Sequence, residues 1–212
     1  MATVVFDLDG TLADSSADLL AAANRCFDRP VLGPADALTA FQGGRAMLRV
    51  GYQRLGIAGD IDRDYDRLLA AYAAGICVAT KLYPGVVAAV EVLRGQGHAT
   101  AICTNKPEGL AVELVRQLGI THLFDALVGA DTLPVRKPDA EPYLLAVQRA
   151  GGGPSLLVGD TETDRLTGAA AGVPVVLVTF GPEGQGVARL RPDALLHRFD
   201  DLPGVVERLL PR

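Results

Sequence analysis

The sequence predicts an α/β fold, a doubly wound parallel sheet with an inserted all-helical cap domain. Two observations predict it. Short apolar runs without polar alternation recur between amphipathic stretches, as expected of parallel strands buried on both faces and joined by right-handed helical crossovers. One long segment, 16–81, breaks that rhythm with helical patterns alone.

Thr3–Leu8 (TVVFDL) opens the chain as a strand. Within the insert, Ala17–Cys26, Gly44–Leu55 and Arg63–Ala74 have helical spacing, separated by turn-forming stretches at Arg29–Pro34 and Gly56–Asp60. The β-α rhythm resumes after Tyr83-Pro84-Gly85. Val86–Gln96 is a predicted helix, Thr100–Thr104 a strand, Glu108–Leu118 a helix and Ala126–Gly129 a strand. Glu141–Ala150 follows as a helix. Gly151-Gly152-Gly153-Pro154 then turns the chain into Ser155–Gly159, and Thr163–Ala171 leads to a last strand, Val173–Thr179. The expected organisation is a Rossmann-like core over 1–15 and 82–212 with a cap over 16–81.

Composition narrows the function classes. The chain has 212 residues, 49% hydrophobic and 21% charged, which excludes a disordered chain. A net charge of −5 argues against a nucleic-acid partner, whose phosphates demand clustered Lys and Arg. Three widely spaced cysteines, Cys26, Cys77 and Cys103, offer no disulfide framework and fit a reducing cytoplasm. Acids appear after six residues, so no signal segment is expected, and no apolar run is long enough to cross a membrane. A cytoplasmic monomer or homodimer, with neither membrane nor nucleic acid as partner, is the expectation.

In a doubly wound sheet, ligands collect at the carboxyl ends of the strands. Four such ends carry polar residues here: Asp7 and Asp9 with Gly10 and Thr11; Thr104 and Asn105; Lys137 with Pro138; and Asp160 with Asp164. Carboxylates brought together repel one another, and a hard divalent cation such as Mg²⁺ resolves the conflict with oxygen ligands. Such an ion commonly works on phosphate. Thr104 and Asn105 then supply donors and Lys137 a point charge for phosphate oxygens. No Ser-His or Cys-His arrangement stands out as nucleophile, but an aspartate serves, forming an aspartyl-phosphate, with a neighbouring acid to handle protons. Thr104 and Asn105 also read as cap residues ahead of Lys106-Pro107.

DLDGTLADS at Asp7–Ser15, Thr104-Asn105, Lys137-Pro138 and GDTETD at Gly159–Asp164 occur in that order. The chain thereby resembles the haloacid dehalogenase-like hydrolase superfamily, and within it the phosphoglycolate phosphatase group. The resemblance implies Asp7 as nucleophile and Asp9 as general acid and base. It implies Mg²⁺ held by the Asp7 side chain, the Asp9 carbonyl and Asp160, with Asp164 orienting a water or Lys137, and Thr11 fixing the acid-bearing loop. It makes segment 16–81 a specificity cap, where the amides at Gly44 and the Arg45 guanidinium bind a substrate carboxylate. The implied substrate is a small phosphorylated metabolite, 2-phosphoglycolate first. A sugar phosphomutase or a pyrophosphatase or nucleotidase of the same superfamily is the alternative. Retention of Asp7 and Asp9 argues against a non-catalytic binding module. The chain departs from the group's pattern at Phe180–Gly184, and Arg136 adds a second cation beside Lys137.

Overall fold

In the computed structural model, which describes residues 2–210, the chain begins with β1 (Thr3–Phe6), β2 (Ala13–Asp14), α1 (Ser16–Asn24), α2 (Ala37–Phe41), α3 (Gly44–Leu55), α4 (Ile61–Ala73) and β3 (Lys81–Leu82). It continues with α5 (Val86–Gly95), β4 (Ala99–Cys103), α6 (Glu108–Gln117), β5 (Ala126–Val128), α7 (Glu141–Arg149), β6 (Ser155–Gly159), α8 (Glu162–Ala171), β7 (Val175–Val178), β8 (Ala194–Leu196) and α9 (Leu202–Leu209). These elements form two compact units. One comprises the chain up to Ala13 and from Leu82 onward, the other Asp14–Lys81. Met1, Pro211 and Arg212, counted in the expected core, lie outside the described residues.

In the first unit the strands form one six-stranded sheet in the order β5-β4-β1-β6-β7-β8, every pair parallel. All four residues of β1 are buried, because a central parallel strand is covered on both faces. Val5, Ala101, Cys103, Val128 and Leu157 point to one face, where Tyr143, Ala146 and Val147 of α7 complete a core. On the other face Arg94 of α5 donates to Thr100 Oγ1 at 3.0 Å. The fold is therefore the doubly wound α/β sandwich that the apolar runs predict.

Register positions the chemistry. Phe6 lies opposite Ile102 on one side and Val158 on the other. One residue further along, Asp7, Cys103 and Gly159 are level, and the next steps in β4 and β6 are Thr104 and Asp160. Chain order reverses around β1, so these carboxyl ends border a topological switch point.

Element limits differ from the sequence expectation at the strand ends. β1 stops at Phe6 because Leu8 closes a turn, its carbonyl accepting from the Leu12 and Ala13 amides at 3.0 and 3.1 Å. The last predicted strand starts at Val175, after Pro174. β8 and α9 were not anticipated: β8 has three residues, and α9 carries Pro203 and Gly204 in its first turn. β2 and β3 pair where the chain passes between units, so the insert is not purely helical at its edges.

The second unit packs α1 to α4 around Leu20, Ala23, Met47, Leu48 and Leu68. Gly51 lets the Phe27 ring lie against α3, where any Cβ would overlap it, and Phe27 meets Tyr52 edge-on at 5.4 Å. Asp64 is held by Arg63 at 3.1 Å, Arg67 at 2.8 Å and the Tyr52 hydroxyl. These bonds keep its carboxyl well below the usual carboxylate range. Asp18 on α1 ties down the end of the unit: its carboxylate accepts from the amides of Val78, Ala79 and Thr80 at 2.8–3.0 Å and from Thr80 Oγ1 at 2.6 Å. Asp18→Ala leaves those donors unmet and should cost about 2–4 kcal/mol in urea unfolding. A loss below about 0.5 kcal/mol would show that water replaces the carboxylate freely.

Candidate active site

The loop after β1 is shaped around an acid. Asp7 accepts from the Leu8 amide through Oδ1 at 2.7 Å. Gly10 has φ +83°, and a Cβ there would run into the Asp160 carboxylate. Both conditions select glycine. Thr11 Oγ1 donates to Asp160 Oδ1 at 2.9 Å, joining the β1 and β6 loops.

Four of the expected residues meet here. One carboxylate oxygen each from Asp7, Asp160 and Asp164 lies within 4.8 Å of the others. Lys137, brought in by the loop after β5, places Nζ 2.7 Å from Asp164 Oδ1 and 3.1 Å from Asp7 Oδ2. Asp160 and Asp164 are wholly buried, and Lys137 is nearly so. Burial raises the Asp7 carboxyl to about 6; Lys137 opposes the rise, while Asp164 and Asp9 add to it. Burial and then the Asp164 and Asp7 charges push Asp160 well above the usual range as well. Lys137 moves upward from its ordinary value although burial alone would lower it, because Asp164 and Asp7 outweigh the desolvation. One ammonium among three carboxylates leaves a negative excess.

That excess points to a cation. Asp160 Oδ2 is buried without a hydrogen-bond partner, an arrangement that calls for an ion or water. An all-oxygen donor set suits Mg²⁺. The residues therefore fit the metal expected from the sequence. Asp164 is already occupied: Oδ2 caps α8, accepting from the Asp160 amide at 3.2 Å, the Thr161 amide at 3.1 Å and Thr161 Oγ1 at 2.9 Å, while Oδ1 holds Lys137.

The remaining expected residues have other partners. The Asp9 side chain lies outside the acidic cluster; both its oxygens accept from Lys106 Nζ, at 2.9 and 2.8 Å. Thr104 Oγ1 accepts from the Lys106 amide at 3.1 Å. Asn105 Nδ2 donates to the Lys137 carbonyl at 3.0 Å, bracing the lysine's backbone. In the helical unit, Gly44 begins α3 against the Tyr65 ring. The Arg45 guanidinium stacks 3.9 Å over that ring and donates to Asp62 at 3.1 and 3.3 Å. Arg136 is exposed and lines an open cavity with Pro134, Pro138 and Ala170. The second lysine against the acids is Lys106, whose place before Pro107 at a helix start gives no sign of that pairing in the sequence.

The class follows from fold, site and family match together. A family model for haloacid dehalogenase-like hydrolases matches residues 1–172, and the chain belongs to that family. It is 37% identical to a phosphoglycolate phosphatase of Agrobacterium fabrum over 98% of its length and 94% of the relative's. It is 36% identical to a phosphoglycolate phosphatase of Cereibacter sphaeroides, over 99% and 100%. A solved structure described as a predicted phosphoglycolate phosphatase from Haemophilus somnus superposes with a TM-score of 0.84 at 26% identity, covering 97% of each chain. Among the described residues no helix is long and apolar enough to cross a membrane.

The buried carboxylates give a stability test with a definite sign. The folded-state value of Asp7, about 6, lies above its ordinary 3.8. Without divalent ion, its ionisation therefore costs stability increasingly as pH rises from about 4 to 6. Asp7→Asn removes the cost. With chelator present, its melting temperature should match wild type near pH 4 and exceed it by about 4 °C or more at pH 7. An advantage independent of pH would contradict the charge conflict.

Proposed function

We propose that the protein is a Mg²⁺-dependent phosphatase that hydrolyses 2-phosphoglycolate through an aspartyl-phosphate on Asp7. The observation that carries this reading is the convergence of Asp7, Lys137, Asp160 and Asp164, with Asp160 Oδ2 left open. Relatives that bear the name phosphoglycolate phosphatase at 36–37% identity support the substrate.

Asp7, Asp160 and the Asp9 carbonyl would hold the ion, with Asp164 steering Lys137. The ion supplies charge neutralisation for the phosphoryl oxygens. The chain's own residues do the rest. An Asp7 carboxylate oxygen bonds to phosphorus as the ester P–O bond breaks. The electron pair stays on the leaving oxygen, which takes the proton that Asp9 carries in its acid form at the start of the cycle. Asp9, now a carboxylate, accepts a proton from water as the water oxygen bonds to phosphorus and the Asp7–phosphorus bond breaks. Lys137 offsets negative charge on the phosphoryl oxygens throughout. Thr104 and Asn105 stand at the phosphate end, and Thr11 keeps Asp160 in place.

The helical unit is the specificity cap in this reading, with Gly44 and Arg45 receiving the glycolate carboxylate. Arg45 must leave Asp62 to do so, an exchange between exposed partners of low cost. Three free cysteines support a reducing cytoplasmic setting. No membrane or nucleic acid is needed as partner, and a monomer or homodimer suffices.

Phosphate release from 2-phosphoglycolate with Mg²⁺ is the direct test. Wild type should turn over and chelator should stop it. Asp7→Asn should fall at least about 10⁴-fold, the scale of losing a nucleophile, and persistent turnover would exclude covalent catalysis by Asp7. Arg45→Ala should raise KM for 2-phosphoglycolate about tenfold while p-nitrophenyl phosphate, lacking a carboxylate, changes far less. Equal effects on both substrates would remove Arg45 from recognition.

A further inference from the structure

Lys106 is a buried cation with no part in the chemistry so far described. Its side chain is 4% exposed and that of its partner Asp9 is 17% exposed. A buried ammonium carries a desolvation cost unless it is paired and hydrogen-bonded, and Asp9 is the pair. Here a single Nζ straddles both Asp9 oxygens, at 2.9 and 2.8 Å. This fixes the direction of the carboxyl group, which a lone hydrogen bond would leave free to turn.

The lysine stands on a braced foothold. Its amide donates to Thr104 Oγ1 at 3.1 Å, at the end of β4. Its carbonyl accepts from the Ala130 amide at 2.9 Å, beyond β5. Pro107 follows as the cap of α6, and Gly129 lies so close to the Glu108 backbone that any side chain there would collide. Two strand ends thus hold the backbone from which Lys106 reaches Asp9.

We propose that Lys106 is the positioning residue for Asp9, aligning the Asp9 carboxyl group for its two proton transfers as Lys137 serves Asp7 and Asp164. The proposal rests on the phosphatase reading, in which Asp9 is the acid and base. Proton transfer requires hydrogen-bond reach, and a displacement of about an ångström costs up to about a hundredfold. Lys106 touches neither phosphorus nor the leaving oxygen in this scheme, so its effect must pass through Asp9.

The full-length protein with Mg²⁺ tests this, using kcat and KM for 2-phosphoglycolate in wild type, Lys106→Met, Lys106→Arg, Asp9→Asn and the double variant Asp9→Asn with Lys106→Met. Lys106→Met should lower kcat about 10- to 100-fold with KM within about threefold, and Lys106→Arg, which keeps a cationic donor, should recover most of the loss. In the Asp9→Asn background, Lys106→Met should add less than about threefold, because its target is gone. Losses that multiply in the double variant would overturn the proposal. So would a KM increase with kcat retained, which would make Lys106 a substrate ligand, or a Lys106→Met enzyme equal to wild type. If Lys106→Met fails to fold, Lys106→Gln read against Lys106→Arg carries the same comparison. A wild-type protein that releases no phosphate defeats the phosphatase reading itself, a result distinct from an active enzyme indifferent to position 106.

Discussion

The Lys137 ammonium between Asp7 and Asp164 is the interaction on which the site depends. Three carboxylates meet in a nearly dry space, and all three can be ionised together only beside positive charge. Lys137 supplies part of it, and the unpartnered oxygen of Asp160 marks where the remainder belongs. The requirement for close approach propagates outward as a demand for glycine. Gly10 and Gly159 stand where a methyl group would overlap the carboxylates of Asp160 and Asp164, and Gly181 packs against the Gly10 carbonyl. Small residues in this part of the core are consequences of crowded charge.

Around the acids, each polar side chain meets a structural demand as well as a chemical one. Asp164 caps α8 with one oxygen and grips Lys137 with the other, so the helix start and the lysine position are fixed by the same group. Thr11 ties two strand ends through Asp160. Asn105 braces the lysine's main chain. Removing any of them therefore disturbs geometry and electrostatics together, and their individual contributions are not expected to add.

Much of this was legible from sequence because strands in register bring consecutive strand ends to one edge. The short apolar runs located β1, β4, β5, β6 and β7, and of the polar residues that follow them the structure gathers Asp7, Lys137, Asp160 and Asp164 into one cluster. What escaped notice has physical reasons. Lys106 precedes a proline at a helix start and meets Asp9 across 97 positions, a pairing no local pattern announces. The partners of Arg45 come from α4, so its stacking on Tyr65 and bond to Asp62 depend on how two helices pack. β8 is too short for periodicity, and α9 opens with residues that ordinarily interrupt helices. The second unit begins at Asp14, two residues before the expected insert, and ends at Lys81, where the expected insert ends.

The Leu12 carbonyl accepts a hydrogen bond from the Tyr83 amide at 3.0 Å, so the chain leaves the sheet unit and re-enters it at neighbouring points. Closing such a gap requires only a short connection, and the entropy of a longer one grows slowly with its length. A connection of different length between Leu12 and Tyr83 is therefore compatible with every acid and lysine of the sheet edge keeping its place.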